Sequence, residues 1–483
     1  VSASLSAESD RMDRHMSSKQ FKDPVHGYVE VAEPIVKRLI DTPAFQRQRH
    51  VRQLSATYLV YPSANHTRFE HALGVFHLAK QVFQSLRSQR RFAAGASEAH
   101  LDAVEDTLKC AALLHDVGHP PLSHLGEHHL DAADLRSRLD DAGLVGAFEA
   151  AGIDVGRADG PFRRASPHEL LGCLVILTTY SADLQELGVD PFEVCAYILG
   201  YSLTYEREGD RHFGVAAEVL HSPIDVDRLD YIIRDSRMTG AEVLSVDTAR
   251  MIDAYTAVPD AGLALRDKAL STVGNYLEGR VALYMWVTQH HKSVYANVLL
   301  RAMLDEFATL VDERPITADK ILDDYVDDYY AMERIRATAR EHPDSVLSAL
   351  HERFRARRFP ESCWKHGVGY DESVEVTDDM EAFSEWLLRN ADALETDLAA
   401  VLDLPVHEVW IEKSYVPEYE PGALMDIPIA HRESTRSVAG TGLYGNREFE
   451  GTIPFVFVPE GHKWAAIDHL NAEFARSRAA EPS

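Results

Sequence analysis

The run Cys110-Ala111-Ala112-Leu113-Leu114 is followed at once by His115-Asp116, and this junction narrows the possible folds more than any other stretch of the chain. Residues 104–117 read as a helix that is largely apolar, ending near Gly118 and Pro120-Pro121, since proline cannot continue a helix. Such a helix has to be enclosed by other elements, so its end carries an imidazole and a carboxylate into the interior. Buried polar groups need partners. His115, His119, His124, His128 and His129 lie within fifteen positions, and His119, one helical turn beyond His115, is expected on the same side. A plain hydrogen-bonded cluster and a metal site both use such residues. The density of imidazoles next to apolar sequence favours a divalent ion of intermediate hardness, such as Mn, Fe or Zn, which accepts mixed nitrogen and oxygen donors.

The surrounding text is helical. Val36, Leu39 and Ile40 give one apolar face, and Phe69, Leu73, Phe76, Ala79 and Phe83 give another. Further helical patterns cover 168–187, 191–204, 223–237, 276–308, 322–353 and 377–400. Residues 1–20 read as a flexible arm, and Phe21 to Val31 as a short hairpin turning at Asp23-Pro24 and His26-Gly27. Five glycines between 143 and 160 mark 130–165 as a loop-rich excursion. After about residue 400 the character changes: Val406–Ile411 and Ile453–Val458 are strand-like, and a last helix is expected over 466–480. The expected architecture is therefore mainly α, with a helical core over 21–400 and a smaller α+β module over 401–483.

Composition limits the partners. The 483 residues carry a net charge of −28, which argues against a broad nucleic-acid-binding face because that needs clustered positive charge. A local basic pocket for a small anion is still compatible with it. Arg outnumbers Lys by 38 to 11. The absence of an apolar run of 18 or more residues and the polar start give no sign of a membrane span or signal peptide. Four widely spaced cysteines, at 110, 173, 195 and 363, suit reduced thiols in a cytoplasmic setting.

Two other segments carry chemistry. Arg68 and His71, in Thr67-Arg68-Phe69-Glu70-His71, are neighbours across a helical turn. In Ser222-Pro223-Ile224-Asp225-Val226-Asp227-Arg228-Leu229-Asp230-Tyr231, Ser222 reads as a helix cap and Asp225 as its acidic partner. That leaves Asp227 and Asp230 unexplained. Asp227 shares a face with Tyr231, and its carboxylate either completes a metal sphere or belongs to a salt-bridged helix surface.

Together these segments resemble the HD-domain family. The resemblance rests on Phe21-Lys22-Asp23-Pro24-Val25-His26-Gly27, Ile40-Asp41-Thr42-Pro43-Ala44-Phe45-Gln46-Arg47, Thr67-Arg68-Phe69-Glu70-His71-Ala72-Leu73-Gly74-Val75 and His115-Asp116-Val117-Gly118-His119. Ser123-His124, Pro167-His168-Glu169 and the 224–231 segment extend it, so that it covers about residues 20–305. Within the family the chain is similar to the deoxynucleoside triphosphate triphosphohydrolases of bacteria, archaea and vertebrates.

The resemblance implies metal ligands at His71, His115, Asp116 and Asp227, for a divalent ion such as Mn, Mg, Fe or Zn. It implies acid, base or phosphate-side roles for His119, His124 and His168, with Glu127 at a position often held by Asp. Arg68 and Arg228 match phosphate contacts, Gln53 and Leu54 match sugar and base contacts, and Tyr231 matches a ring lining the sugar pocket. Lys292, in Gln289-His290-His291-Lys292, is the matching triphosphate-side cation. Asp41, Gln46 and Arg49 match an activating GTP or dNTP site, though Lys22 and Gln48 depart from its pattern. Asp41 also reads as a simple helix cap. The implied reaction converts a dNTP and water to a deoxynucleoside and inorganic triphosphate, in a homodimer or homotetramer. The competing readings are hydrolysis of nucleoside monophosphates or related nucleotides, and a nucleotide- or nucleic-acid-binding scaffold without hydrolysis.

Overall fold

The computed structural model describes residues 17–157, 160–241, 246–258, 262–365, 380–415, 427–431, 434–438 and 452–480. It opens with the hairpin β1 (Ser18–Asp23) and β2 (Gly27–Ala32), paired from Ser18 opposite Ala32 to Asp23 opposite Gly27. The Asp23 carboxylate closes the turn by accepting from the backbone N–H groups of Val25 and His26. The first strand thus begins inside the stretch read as a flexible arm; residues 1–16 lie outside the described residues.

The longer helices of the first half are α1 (Arg68–Arg87), α2 (Glu98–Leu114), α3 (Ala132–Asp141), α4 (Leu144–Ala150), α5 (Pro167–Val175), α6 (Pro191–Ile198), α7 (Arg211–Leu220) and α8 (Val226–Thr239). Helix α2 is central, with Ala111 to Leu114 fully buried and with α1, α6 and α7 packed around it. It ends one residue before His115, which is its C-terminal cap, so that His119 is reached through a tight turn and not through another turn of helix. Most of 130–165 is helical, contrary to the glycine-based expectation. Gly143 and Gly152 sit at left-handed positions at the ends of short helices, where only a missing Cβ is comfortable.

A second hairpin, β3 (Tyr255–Val258) and β4 (Gly262–Arg266), precedes α9 (Leu270–Leu283), α10 (His291–Val311), α11 (Asp328–Glu341) and α12 (Val346–Arg355). The periodic run 276–308 is broken at Gln289 and His290, where His290 accepts from the Lys292 N–H and starts α10 afresh.

The last part comprises β5 (Glu361–Lys365), α13 (Met380–Arg389), α14 (Ala391–Leu402), β6 (Trp410–Tyr415), β7 (Pro428–His431), β8 (Ser434–Ser437), β9 (Thr452–Val458) and α15 (Lys463–Ala480). Strands β5, β9 and β6 form an antiparallel sheet with β9 in the centre, and β7 extends the β3-β4 hairpin by pairing parallel to β4. Residues 406–408, read as strand, form a 3-10 turn before β6.

Side chains alternate across a strand, and β9 uses this to wall off two cores. Phe455 and Phe457 belong to the large helical core, while Val456 and Val458 belong to a second cluster with Cys363, Phe383, Leu387, Leu398, Ile411 and Leu470. Packing thus groups residues on both sides of the boundary expected near 400. The molecule is a mostly helical core with small sheets toward its C-terminal part. Among the described residues no helix is long and apolar enough to cross a membrane.

Candidate metal centre and the cavity above it

The Thr67 hydroxyl and Glu70 form a capping box that starts α1, placing Arg68 in its first turn and His71 at its inner face. Asp225, not Ser222, caps α8: its carboxylate accepts from the Arg228 N–H at 2.7 Å, and the helix starts at Val226. Asp227 therefore falls in the first turn of α8, facing the ends of α1 and α2. His71 Nε2 lies 2.9 Å from Asp227 Oδ1 and 3.6 Å from Asp116 Oδ2. His115 Nε2 lies 3.4 Å from Asp116 Oδ1 and 3.7 Å from Asp227 Oδ1. Donor atoms of His71, His115 and Asp227 thus lie within 4.8 Å of one another, with the Asp116 carboxylate beside both imidazoles.

The other ring nitrogens are committed. His71 Nδ1 is 2.8 Å from Asp230 Oδ2, and His115 Nδ1 is 2.8 Å from the Ala112 carbonyl. Both partners accept only, so each ring donates from Nδ1 and turns Nε2 inward, where a cation would take the place of that atom's proton. Those two Nε2 atoms are buried and make no well-directed hydrogen bond. Burial opposes a charge on His71, yet Asp227 and Asp230 outweigh it and push the imidazole up to about 10. Burial likewise resists ionisation of Asp116, but Arg68, His115 and His119 hold its carboxyl well below the usual carboxylate range. The centre demands positive charge, and its orphaned nitrogens and flanking carboxylates fit a divalent cation.

Asp230 anchors this arrangement. It accepts from His26 at 2.6 Å and from both Arg234 Nε and Nη2, and Arg234 Nη1 also donates to Asp23 at 2.7 Å. The hairpin turn at residues 23–26 is thereby tied to the ring of His71. Sequence reading noted Asp230 as unexplained but did not connect Asp23, His26 or Arg234 to the site. The signal was present in the spacing 227, 230, 234, one inner stripe of a helix.

Beside the metal donors, His119 Nε2 is 3.3 Å from Asp116 Oδ1, and its ring stacks on His168 at 3.8 Å between centroids. Glu127 Oε1 lies 2.6 Å from His124 Nδ1 and 3.0 Å from His168 Nδ1. Burial, Arg68 and His168 drive the His119 imidazole well below its ordinary range, so it is neutral near pH 7. Burial also opposes a charge on His168, but Glu127 prevails and raises it. The two stacked rings are thus pushed in opposite directions, His119 toward the neutral form and His168 toward the charged one.

Asp116, His119, His124 and His168 line a cavity of about 640 Å³, together with Gln53, Leu54, Arg68, Asp227, Tyr231 and Tyr284. That volume lies within the usual range for small-molecule sites. Arg68 donates to Asp116 at 2.6 Å and to Ser123 at 3.1 Å. The Gln53 Oε1 is buried without a hydrogen-bond partner among the described residues. Arg228 turns away onto the Asp225 carboxylate and the Ser222 carbonyl, and neither it nor Lys292 lines this cavity. The wall instead receives Asn297 and Arg301 from α10 and Glu412 from β6, with Arg301 and Glu412 paired side by side. Sequence reading missed all three, because no local pattern predicts that β6 meets α10.

Asp41, Gln46 and Arg49 lie elsewhere, at the surface. Asp41 pairs with Lys19 at 3.6 Å, Gln46 donates to the Ile40 carbonyl, and Arg49 donates to Gln46 while lying over the Phe69 ring. Thr42, and not Asp41, caps the short helix there.

Comparison with known proteins gives a consistent result. The family model described as HD domain matches residues 68–151, the segment that supplies His71, His115, Asp116, His119, His124 and Glu127. The uncharacterized protein YwfO of Bacillus subtilis is 28% identical over 356 residues, covering 70% of each chain. The deoxynucleoside triphosphate triphosphohydrolase SAMHD1 of Gallus gallus is 30% identical over 289 residues, which are 56% of this chain and 42% of that one. A hypothetical protein from Aquifex aeolicus, of known crystal structure, superposes with a TM-score of 0.64 at 22% identity, over 94% of this chain and all of its own; this likeness concerns the fold alone. The chain spans less than half the length of the chicken enzyme. An HD domain over residues 68–151, together with the His–Asp donor cluster it helps to form, supports a metal-dependent phosphohydrolase, and the chain is similar to bacterial and archaeal proteins and more distantly to the vertebrate dNTPases.

Proposed function

We propose that the substrate is a deoxynucleoside triphosphate and that the products are a deoxynucleoside and inorganic triphosphate. The observation that carries this reading is the cavity. It joins Asp116 and Asp227 of the metal centre and the rings of His119, His124 and His168 to a wall of Gln53, Leu54 and Tyr231, in a volume suited to a whole nucleotide. The activity named for the chicken relative supports the same choice.

A divalent cation, when bound by His71, His115, Asp116 and Asp227, supplies Lewis acidity to a phosphoryl oxygen and to water. The rest falls to the chain's own residues. In the proposed step the water oxygen bonds to the α-phosphorus, the bond from that phosphorus to O5′ breaks, and O5′ takes up a proton while the water gives one up. Glu127 raises the His168 pKa and lies 2.6 Å from His124 Nδ1, which makes His168 the proposed acid for O5′ with His124 beside it. Arg68 stands beside Asp116, ready to place its fork of donors on a phosphoryl oxygen. Gln53 offers its unpartnered oxygen to a sugar hydroxyl, and Tyr231 packs against the sugar. Asp41, Gln46 and Arg49 are kept in this reading as a surface effector site for GTP or a dNTP, in a homodimer or homotetramer.

The test is a matrix of single dNTPs assayed with Mn or Mg, with and without GTP or a second dNTP, and with products separated by ion chromatography. Triphosphate and deoxynucleoside in equal amounts are expected, and chelation should stop the reaction. Orthophosphate released from a nucleoside monophosphate, with no triphosphate from any dNTP, would overturn the dNTP reading and leave the phosphohydrolase intact. Rates unchanged by every candidate effector would remove the effector site alone.

A further inference from the structure

A second metal-ligand set lies away from the HD centre, where the start of α2 meets the start of α7. His100 Nε2 is 3.1 Å from Asp210 Oδ2, and His212 Nδ1 is 3.1 Å from Asp210 Oδ1. The donor atoms of the three residues all lie within 4.8 Å of one another. They open on a surface cavity of about 490 Å³ formed with residues 95–97 and 209–211.

The state of His212 decides how this cluster is read. Its Nε2 lies 2.9 Å from the Phe92 carbonyl, an acceptor only, and the ring is buried. The proton of the neutral ring is therefore on Nε2, and Nδ1 presents a lone pair toward a carboxylate oxygen that also has only lone pairs. Two acceptors facing each other at 3.1 Å repel unless a second proton or a cation stands between them. The same device, a backbone carbonyl fixing the tautomer of a metal-ligating ring, holds His115 at the HD centre through the Ala112 carbonyl.

The spacing suits a metal. One donor atom from each of the three residues lies within 4.8 Å of the others, and each imidazole stands 3.1 Å from one oxygen of the shared carboxylate, so that an ion seated against that carboxylate has both rings beside it. Two nearby features oppose a cation: the helix starts lend positive potential, and Arg211 is adjacent. Both are offset locally. Ser97 and Asp210 cap the two helices, and the Arg211 guanidinium is drawn onto the carbonyls of Arg91, Phe92 and Ala94.

We propose that His100, Asp210 and His212 form a second, structural site for a divalent transition metal of the Zn or Co class, with two nitrogens and one carboxylate as ligands and the remaining positions left to water. It would clip the start of α2 to the start of α7 and shares no residue with the HD centre, so that its loss leaves the HD donors in place.

The test uses the full chain, stripped with chelator, titrated with Zn(II) and separated from free metal. Wild type is expected to retain two equivalents, His115→Ala one, His100→Ala one, and the double variant none. His100 is half-exposed, so its replacement is tolerable to the fold, and His100→Ala should keep hydrolase activity when supplied with Mn. Zn(II) should raise the melting temperature of His115→Ala and leave that of the double variant unchanged. A wild-type protein that retains a single equivalent, or a His100→Ala protein that retains as much metal as wild type, would overturn the proposal and leave the HD assignment untouched.

Discussion

The tautomers of His71 and His115 set the chemistry of the centre at the scale of single residues. Each ring is held through Nδ1 by an acceptor, so Nε2 faces the carboxylates and can serve a metal without any rearrangement. Loss of one such ligand should lower metal content and activity together: His115→Ala and Asp116→Ala are expected to do both, and normal turnover in either would refute the ligand set. A finer test addresses Glu127. Its carboxylate raises the His168 pKa above the ordinary value despite burial, so the cationic form is present below the raised pKa and is lost as pH rises through it. Glu127→Gln removes that support. If the cation is the acid, the alkaline limb of the kcat/KM profile should move to lower pH in the variant, while metal content stays at the wild-type level. An unmoved limb with a uniformly lower rate would make Glu127 a packing residue only.

Between elements, the crossing of α1 and α8 depends on Gly74. A Cβ added there would overlap Asp230 Oδ1 and Arg234 Nη2, the very groups that hold the His71 ring. Helix propensity alone makes Gly74→Ala stabilising by about 1 kcal/mol. Overlap with a buried ion pair should reverse the sign, with a loss on the order of 2–4 kcal/mol and weaker metal retention; a raised melting temperature would show the crossing to be looser than described. The glycine was visible in the sequence as part of a motif, but its reason was not, since it depends on a partner 156 positions away (Asp230). The same limit explains the rest of what was and was not legible. Helices α1, α2 and α5 could be read because each carries its own apolar face, and the proposed donors His71 and His115 stood out because one lies on α1 and the other caps α2. The caps Thr42 and Asp225 were misplaced by one to three positions because several acceptors compete at each start. Arg301 and Glu412 were invisible, as was the parallel pairing of β4 with β7, because only long-range packing creates them.

Taken as a whole, the molecule's C-terminal part is a support for the catalytic core more than an appendage. Phe455 and Phe457 on β9 pack into the large core, and Ile427 and Ile429 join it from beside β4. Tyr295, on the α10 helix that lines the cavity, meets Trp410 at 5.3 Å and Phe457 at 5.4 Å between ring centroids. Removing everything after residue 402 would uncover all of these contacts and strip β9 from between the two clusters. Each large buried side chain contributes about 1.5–3 kcal/mol, so the loss from Ile427, Ile429, Phe455 and Phe457 alone is on the order of 10 kcal/mol, comparable with the whole stability of an ordinary domain. A chain ending at residue 402 should therefore be aggregated or unfolded, even though it retains every proposed metal and catalytic residue. Phe457→Ala in the full chain is the graded version, expected to cost about 3–5 kcal/mol and to be followed by denaturant titration with metal present. The decisive comparison is between the two. If the shortened chain folds with the melting temperature and turnover of the full protein, the second cluster is an independent module and β9 is not a shared wall. If it fails while Phe457→Ala folds with reduced stability, the sheet is part of the structure that holds α10, and with it one wall of the cavity, in place.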